Sequence, residues 1–189
     1  MERLNCHVFL KDDAVFEGDI CISGDLIAGN NVVVKGNIDV DGCAIFGNIA
    51  TLCKGIKATE FVSIGDYAII GNVMVVGDVI IGNDVVAHEI TGGGDVYLGE
   101  DADTYDITAE GSITAGGKFD GSTIEAGGDV TFGHHADTAA ITSGGNVKLG
   151  DYSRPRKITA EGNLLVGKHV DLTRGQHIIK GSFSEEECQ

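Results

Sequence analysis

Apolar residues recur along this chain in fixed columns, with a period close to 17. One column reads Val8, Leu26, Ala44, Val62, Val79, Val96, Ile113, Val130, Val147 and Leu164. A second, two residues on, reads Leu10, Ala28, Phe46, Ile64, Ile81, Leu98, Ala115, Phe132, Leu149 and Val166. A third is isoleucine or valine from Ile20 to Ile158 and breaks at Gly175. Polar residues alternate with these positions, and alternation with period two is the signature of a half-buried strand. The apolar positions are mostly β-branched or aromatic, which suits strands. No stretch shows helical spacing with caps.

Glycine punctuates the pattern. Gly77, Gly94, Gly111, Gly128, Gly145 and Gly162 are spaced by 17, and Gly82, Gly99, Gly116, Gly133, Gly150 and Gly167 follow each by five. A short fixed period means stacked repeats rather than a domain built around one site. Seventeen or 18 residues suit three short strands and three corners. The expected fold is an all-β, single-stranded, right-handed parallel β-helix of about ten coils with triangular cross-section, spanning residues 6–178. Residues 1–5 form a short lead, and residues 179–189 a cap and acidic tail. At about 4.8 Å per coil the rod is roughly 48 Å long. The glycines are read as corners, through their tolerance of positive φ and of close backbone approach. The Asp or Asn that follows is read as bonding its local turn. Ala109, Ala126, Ser143 and Ala160 fit a narrow interior, and Pro155 is expected in a turn. From the sixth coil the middle strand turns polar, with Asp103, Asp120, Asp137 and Asp171 in one column.

Charge and cysteine content narrow the function. The net charge of −16 over 189 residues argues against a nucleic-acid backbone or an anionic membrane as partner. MERLNC runs straight into the repeat, with no signal peptide or membrane span. Five cysteines without CxxC spacing fit a reduced cytoplasm. No cofactor is implied, since the glycines precede no helix and no GK[ST] follows them.

Candidate chemistry is sparse. Asp103, Asp120 and Asp137 are candidate ligands for a hard cation such as Ca²⁺, although a solvated column is the preferred reading. His135 and His169 share a corner column two coils apart, roughly 10 Å, too far to hold one ion together. A local hexapeptide phase at Ile64-Gly65, Ile70-Gly71 and Val76-Gly77 raises the alternative of a trimeric acyltransferase. That phase does not persist, and no coil has room for the extended loop such enzymes carry. The chain is expected not to be an enzyme.

The segments FEGDICISGDLIAGNNVVVKGNIDVDG and VSIGDYAIIGNVMVVGDVIIGNDV resemble bactofilins, polymer-forming bacterial cytoskeletal proteins, through the repeated G-[DN]-[IV] element. The likeness is clearest over residues 16–86. It implies a triangular β-helix that stacks end to end into filaments without nucleotide. The coil count, the scant N-terminal tail and the shortened period depart from that pattern.

The expected function is therefore a cytoplasmic scaffold that self-assembles. Val8, Leu10, Ile178, Ile179 and Phe183 would make the end contacts, and the outward residues Phe9, Ile27 and Ile45 the lateral ones. The partner is another copy, with other proteins as further candidates. A non-polymerising adaptor is the remaining alternative.

Overall fold

The computed structural model describes residues 7–185, and every regular element among them is a β-strand. The chain winds as a parallel solenoid of about ten turns, its rungs forming one sheet of 11 strands and one of 13. The columns read from the sequence are the rungs. Val62 pairs with Ala44 on one side and Val79 on the other, and Ile124 pairs with Ile107 and Ile141. The first sheet forms one face, and the second folds over the other two. In the strand Asp103–Ala109 the alternation slips at Tyr105 and Asp106, neither of them buried, and there the chain rounds a corner without leaving the ladder.

The change of period has a location. Ile70 pairs with Leu52, 18 residues back, but Asn72 pairs with Gly55, 17 back. The extra residue of an early coil is a bulge at this corner.

Contacts between coils explain the glycines. The Gly111 N–H donates to the Gly94 carbonyl at 3.1 Å, Gly128 to Gly111 at 2.8 Å and Gly145 to Gly128 at 3.1 Å. Alongside this ladder runs a second one made by side chains. Asp95 Oδ1 accepts from the Ser112 N–H at 2.7 Å, Asp129 Oδ1 from Asn146 at 2.6 Å, and Asn146 Oδ1 from Asn163 at 2.9 Å. The Asp or Asn therefore bonds the next coil, not its own turn as expected. A Cβ on Gly162 would lie 2.6 Å from Asn146 Oδ1 and 2.8 Å from the Gly145 carbonyl carbon. Glycine in one coil makes room for the Asx rung of the coil before it.

None of the 12 corner glycines has positive φ, so of the two properties proposed for them close approach is the one in use. The left-handed position belongs to another column, Asp13, Asn31, Ile49, Tyr67, Asp84, Asp101, Lys118, His135, Tyr152 and His169, one residue per coil with φ between 53° and 63°. Asp and Asn tolerate that region; a β-branched residue such as Ile49 is strained there. Its neighbour in each coil points inward and is Ala, Val or Ser, as in Ala68, Val85 and Ser153. Phe119 is the large exception. Its ring stacks on Phe132 at 4.8 Å and fills the space that a side chain on Gly121 would need.

The C-terminal coil departs from the expected frame. Ile158 pairs with His177, and Leu164 with Phe183, an offset of 19. The break at Gly175 is thus a two-residue insertion, and His177 takes the isoleucine column. Residues Phe183–Glu185 begin a further turn of the 11-stranded sheet, so the segment read as cap and tail joins the solenoid. Pro155 is not in a turn either: it is buried at the end of the strand Arg154–Pro155, opposite Thr138. Both Arg154 and Arg156 donate their N–H back toward the preceding coil. The bond toward the following coil would fall to Pro155, which has no N–H to give. On this face no further strand follows among the described residues.

Two substitutions separate these roles. Gly150→Ala places a Cβ 2.6–2.7 Å from backbone atoms of Gly133 and His134, and is expected to destabilise the rod by about 2–3 kcal/mol in urea melts. Ile49→Asn relieves the left-handed strain and is expected to stabilise it by about 1 kcal/mol.

Candidate interaction surfaces

The terminal coils carry the core columns to the ends of the described rod. Val8 and Leu10 pack against the core but remain partly exposed, and their strand pairs only with Leu26–Ala28 among the described residues. At the other end Phe183 continues the column of Leu164. Leu164 is 0 % exposed, whereas Phe183 is 52 % exposed because no described coil covers it. Ile179 faces inward beside Ala160, but Ile178 follows the Thr159 column outward and is 54 % exposed. The expected pair of isoleucine end contacts therefore splits between an end and a side. Glu185 takes the inward column of Val166. An inward carboxylate on a terminal rung discourages pairing with another chain.

The lateral stripe is present. Phe9, Ile27 and Ile45 are successive rungs of one outward column, with Phe9 68 % exposed, and the column continues through Ser63, Ile80 and Tyr97. In the structure Val34, Leu52 and Ile70 point inward, whereas Val15, Val33, Ile69 and Val86 stand outward in a second, largely apolar column interrupted by Thr51. Strict alternation along each strand was the available signal.

That second column changes character at the sixth coil, where Val86 pairs with Asp103. Asp103, Asp120, Asp137 and Arg154 then follow as consecutive rungs. Partial burial, followed by the charges of Asp103 and Asp137, pushes the Asp120 carboxyl above its ordinary value, and Arg154 opposes the shift. Arg154 pairs with Asp137 at 3.1 Å. Among the described residues no three His, Cys, Asp or Glu side chains gather as a metal site, so the candidate cation ligands do not converge. The Arg154 guanidinium supplies the compensating charge, and Asp171 follows it in the next coil, its N–H bonding the Ser153 carbonyl as the Asp137 N–H bonds that of Phe119.

His135 and His169 also fail to meet. Tyr152 stands between His135 and His169, stacked on the two at 5.1 and 4.9 Å. His134 meets His135 edge-on, and His88 stacks on Tyr105 at 5.6 Å. The sequence reading found the shared column of His135 and His169 but missed Tyr152 within it. The left-handed residue recurring at the same place in each coil ties the three together. No helix of the described residues is long and apolar enough to cross a membrane.

The family described as FapA: Flagellar Assembly Protein A beta solenoid domain matches residues 66–187. That span is more than half of the chain and covers the coils with the 17-residue period. The likeness to bactofilins thus stands as a likeness between β-solenoids. No curated protein and no solved structure matches the chain.

The Asp120 shift fixes a sign for pH dependence. Its folded pKa is raised. The carboxyl therefore holds its proton more tightly in the folded rod, and ionising it opposes folding. The penalty is absent well below the ordinary value near 3.8 and grows as pH rises through the folded pKa. Asp120→Asn should stabilise the protein at pH 7 by about 0.5 kcal/mol, the order of one cross-strand like-charge contact. The gain should vanish near pH 3 in thermal melts.

Proposed function

The chain belongs to the flagellar assembly protein A β-solenoid family, and on that premise we propose that it is a structural module of flagellar assembly, a cytoplasmic, non-catalytic rod that works through protein contacts and joins other copies end to end. The family's description supplies the link to the flagellum. The observation that carries the self-assembly reading is the uncovered core at the last described rung, where Phe183 extends the Leu164 column yet stays half exposed. Stacking a first coil onto that rung in register would cover Phe183 with Val8 and Ile179 with Ile22, and would set Leu10 against Glu185. Fully burying one such side chain is worth about 1.5–3 kcal/mol, so completing the burial of several half-covered ones adds up to a useful contact. The open strand edges add backbone hydrogen bonds. Glu185 works against the contact, because stacking would take its carboxylate out of water. Nucleotide-free, end-to-end stacking is also what the bactofilin likeness implies.

A second reading, an adaptor that binds a different protein side-on, is favoured by the paired apolar columns of Phe9, Ile80 and Tyr97 and of Val15, Ile69 and Val86. Such surface, on two faces of the rod, suits a protein contact.

Negative-stain electron microscopy and light scattering across concentration, without nucleotide, test the first reading. Filaments are expected for the native chain, and Phe183→Arg should abolish them while leaving the β-sheet circular dichroism unchanged. Glu185→Ala should lower the assembly threshold about five- to tenfold, the equivalent of about 1–1.4 kcal/mol. Uniform small particles for the native chain, or unchanged filaments for Phe183→Arg, would overturn the end-contact assignment.

A further inference from the structure

Charge is segregated along the second half of the rod. Residues 94–144 hold ten carboxylates and one lysine, whereas residues 145–180 hold seven Lys or Arg and three carboxylates. In a chain with net charge −16 this is an unusual reversal, and both parts meet at one corner. Going up that corner, Tyr105 and Asp106 are followed by Ser122 and Thr123, then by Ala139 and Ala140, and then by Arg156 and Lys157, which precede the paired rung Ile141↔Ile158.

The small residues of the two middle coils leave a trough of about 390 Å³. Asp103, Asp120 and Asp137 stand along it, with Tyr105 at one end and Arg156 at the other. Asp137 is engaged by Arg154. Asp103 and Asp120 face each other as adjacent rungs without a basic partner between them. Arg156 and Lys157 are exposed and project from the next coil as a ridge. Trough and ridge thus lie side by side, one acidic and recessed, the other basic and raised.

We propose that this corner is a self-docking surface, on which two copies pair side by side and antiparallel, the Arg156 and Lys157 ridge of each copy entering the trough beside Asp103 and Asp120 of the other. A two-fold axis between ridge and trough makes both contacts at once, the isologous arrangement that closes at two copies. A second copy fits better than a simple anionic partner because the surface offers both signs at adjacent positions. An anion would satisfy the ridge and be repelled by the trough. The contact is lateral and uses no residue of the terminal rungs, so it stands apart from end-to-end assembly.

The test is sedimentation equilibrium in the Phe183→Arg background, with folding checked by circular dichroism. A dimer is expected in 50 mM salt, weakened at least tenfold in 500 mM salt. The double variant Arg156→Glu, Lys157→Glu should be monomeric, and so should Asp103→Lys, Asp120→Lys. An equimolar mixture of the two should restore the dimer, because each contact then again joins opposite charges. A monomeric parent protein in low salt, charge variants that dimerise like the parent, or a mixture that stays monomeric would overturn the proposal. Loss of binding to polyglutamate by the Arg156→Glu, Lys157→Glu protein with its dimer intact would also overturn it, assigning the ridge to an anionic partner. End-to-end growth persisting in the Phe183→Arg background would be seen as species larger than a dimer and would count against the end contact alone.

Discussion

Successive coils approach so closely that two positions per turn are glycine in nearly every coil, Glu60 being an exception beside Cys43, where no Asx rung needs the room, and the rest of the rod follows from that approach. It brings each Asp or Asn within reach of an N–H one coil away, so that a side-chain ladder runs beside the backbone ladder from Asp78 through Asn163. The same approach narrows the interior to one layer of residues per face. Leu26, Val62, Val96 and Ile141 are fully covered by their own column neighbours rather than by a remote element. Cohesion is therefore almost entirely between neighbours, as in other repeat proteins.

The part of this design that depends on burial was legible in the sequence, because like residues stack on like. The columns from Val8 to Leu164 and from Ile20 to Ile158 are the observed rungs. What depends on backbone geometry was not. Glycine at a corner fits either positive φ or close approach, and the letter does not distinguish them; the left-handed column holds Asp, Ile, Tyr, Lys and His, which share no chemical signal. The slip near Gly175 was hidden for a related reason. A two-residue insertion looks like one missing isoleucine until the pairing of His177 and Phe183 fixes the frame. Of the candidate sites, the aspartate column was visible, but the role of Arg154 within it required the register.

The rod is divided by chemistry more than by fold. The outward column that begins at Val15 is largely apolar through Val86, acidic from Asp103 to Asp137 and basic at Arg154, while the inner columns continue almost unchanged. A scaffold of stacked identical rungs decouples the two: the outward residue of a rung can change without disturbing the inward one, since successive side chains of a strand point to opposite sides. Contact surfaces of different character can then occupy one axis, each at a fixed distance from the others.

Pro155 gives that axis an uneven strength. Where its ring replaces an N–H, strand pairing on this face gives way to single bonds such as that of the Asp171 N–H to the Ser153 carbonyl, and the strand pairing of the coil beyond rests on Leu164–Val166, Ile158–Ala160 and their partners. Under load, or during slow breathing of the chain, the rod has a preferred seam at this level. The turn bearing His177 and Phe183 hangs on fewer rungs than the coils before it, so loosening there would leave the pairing of the earlier coils intact.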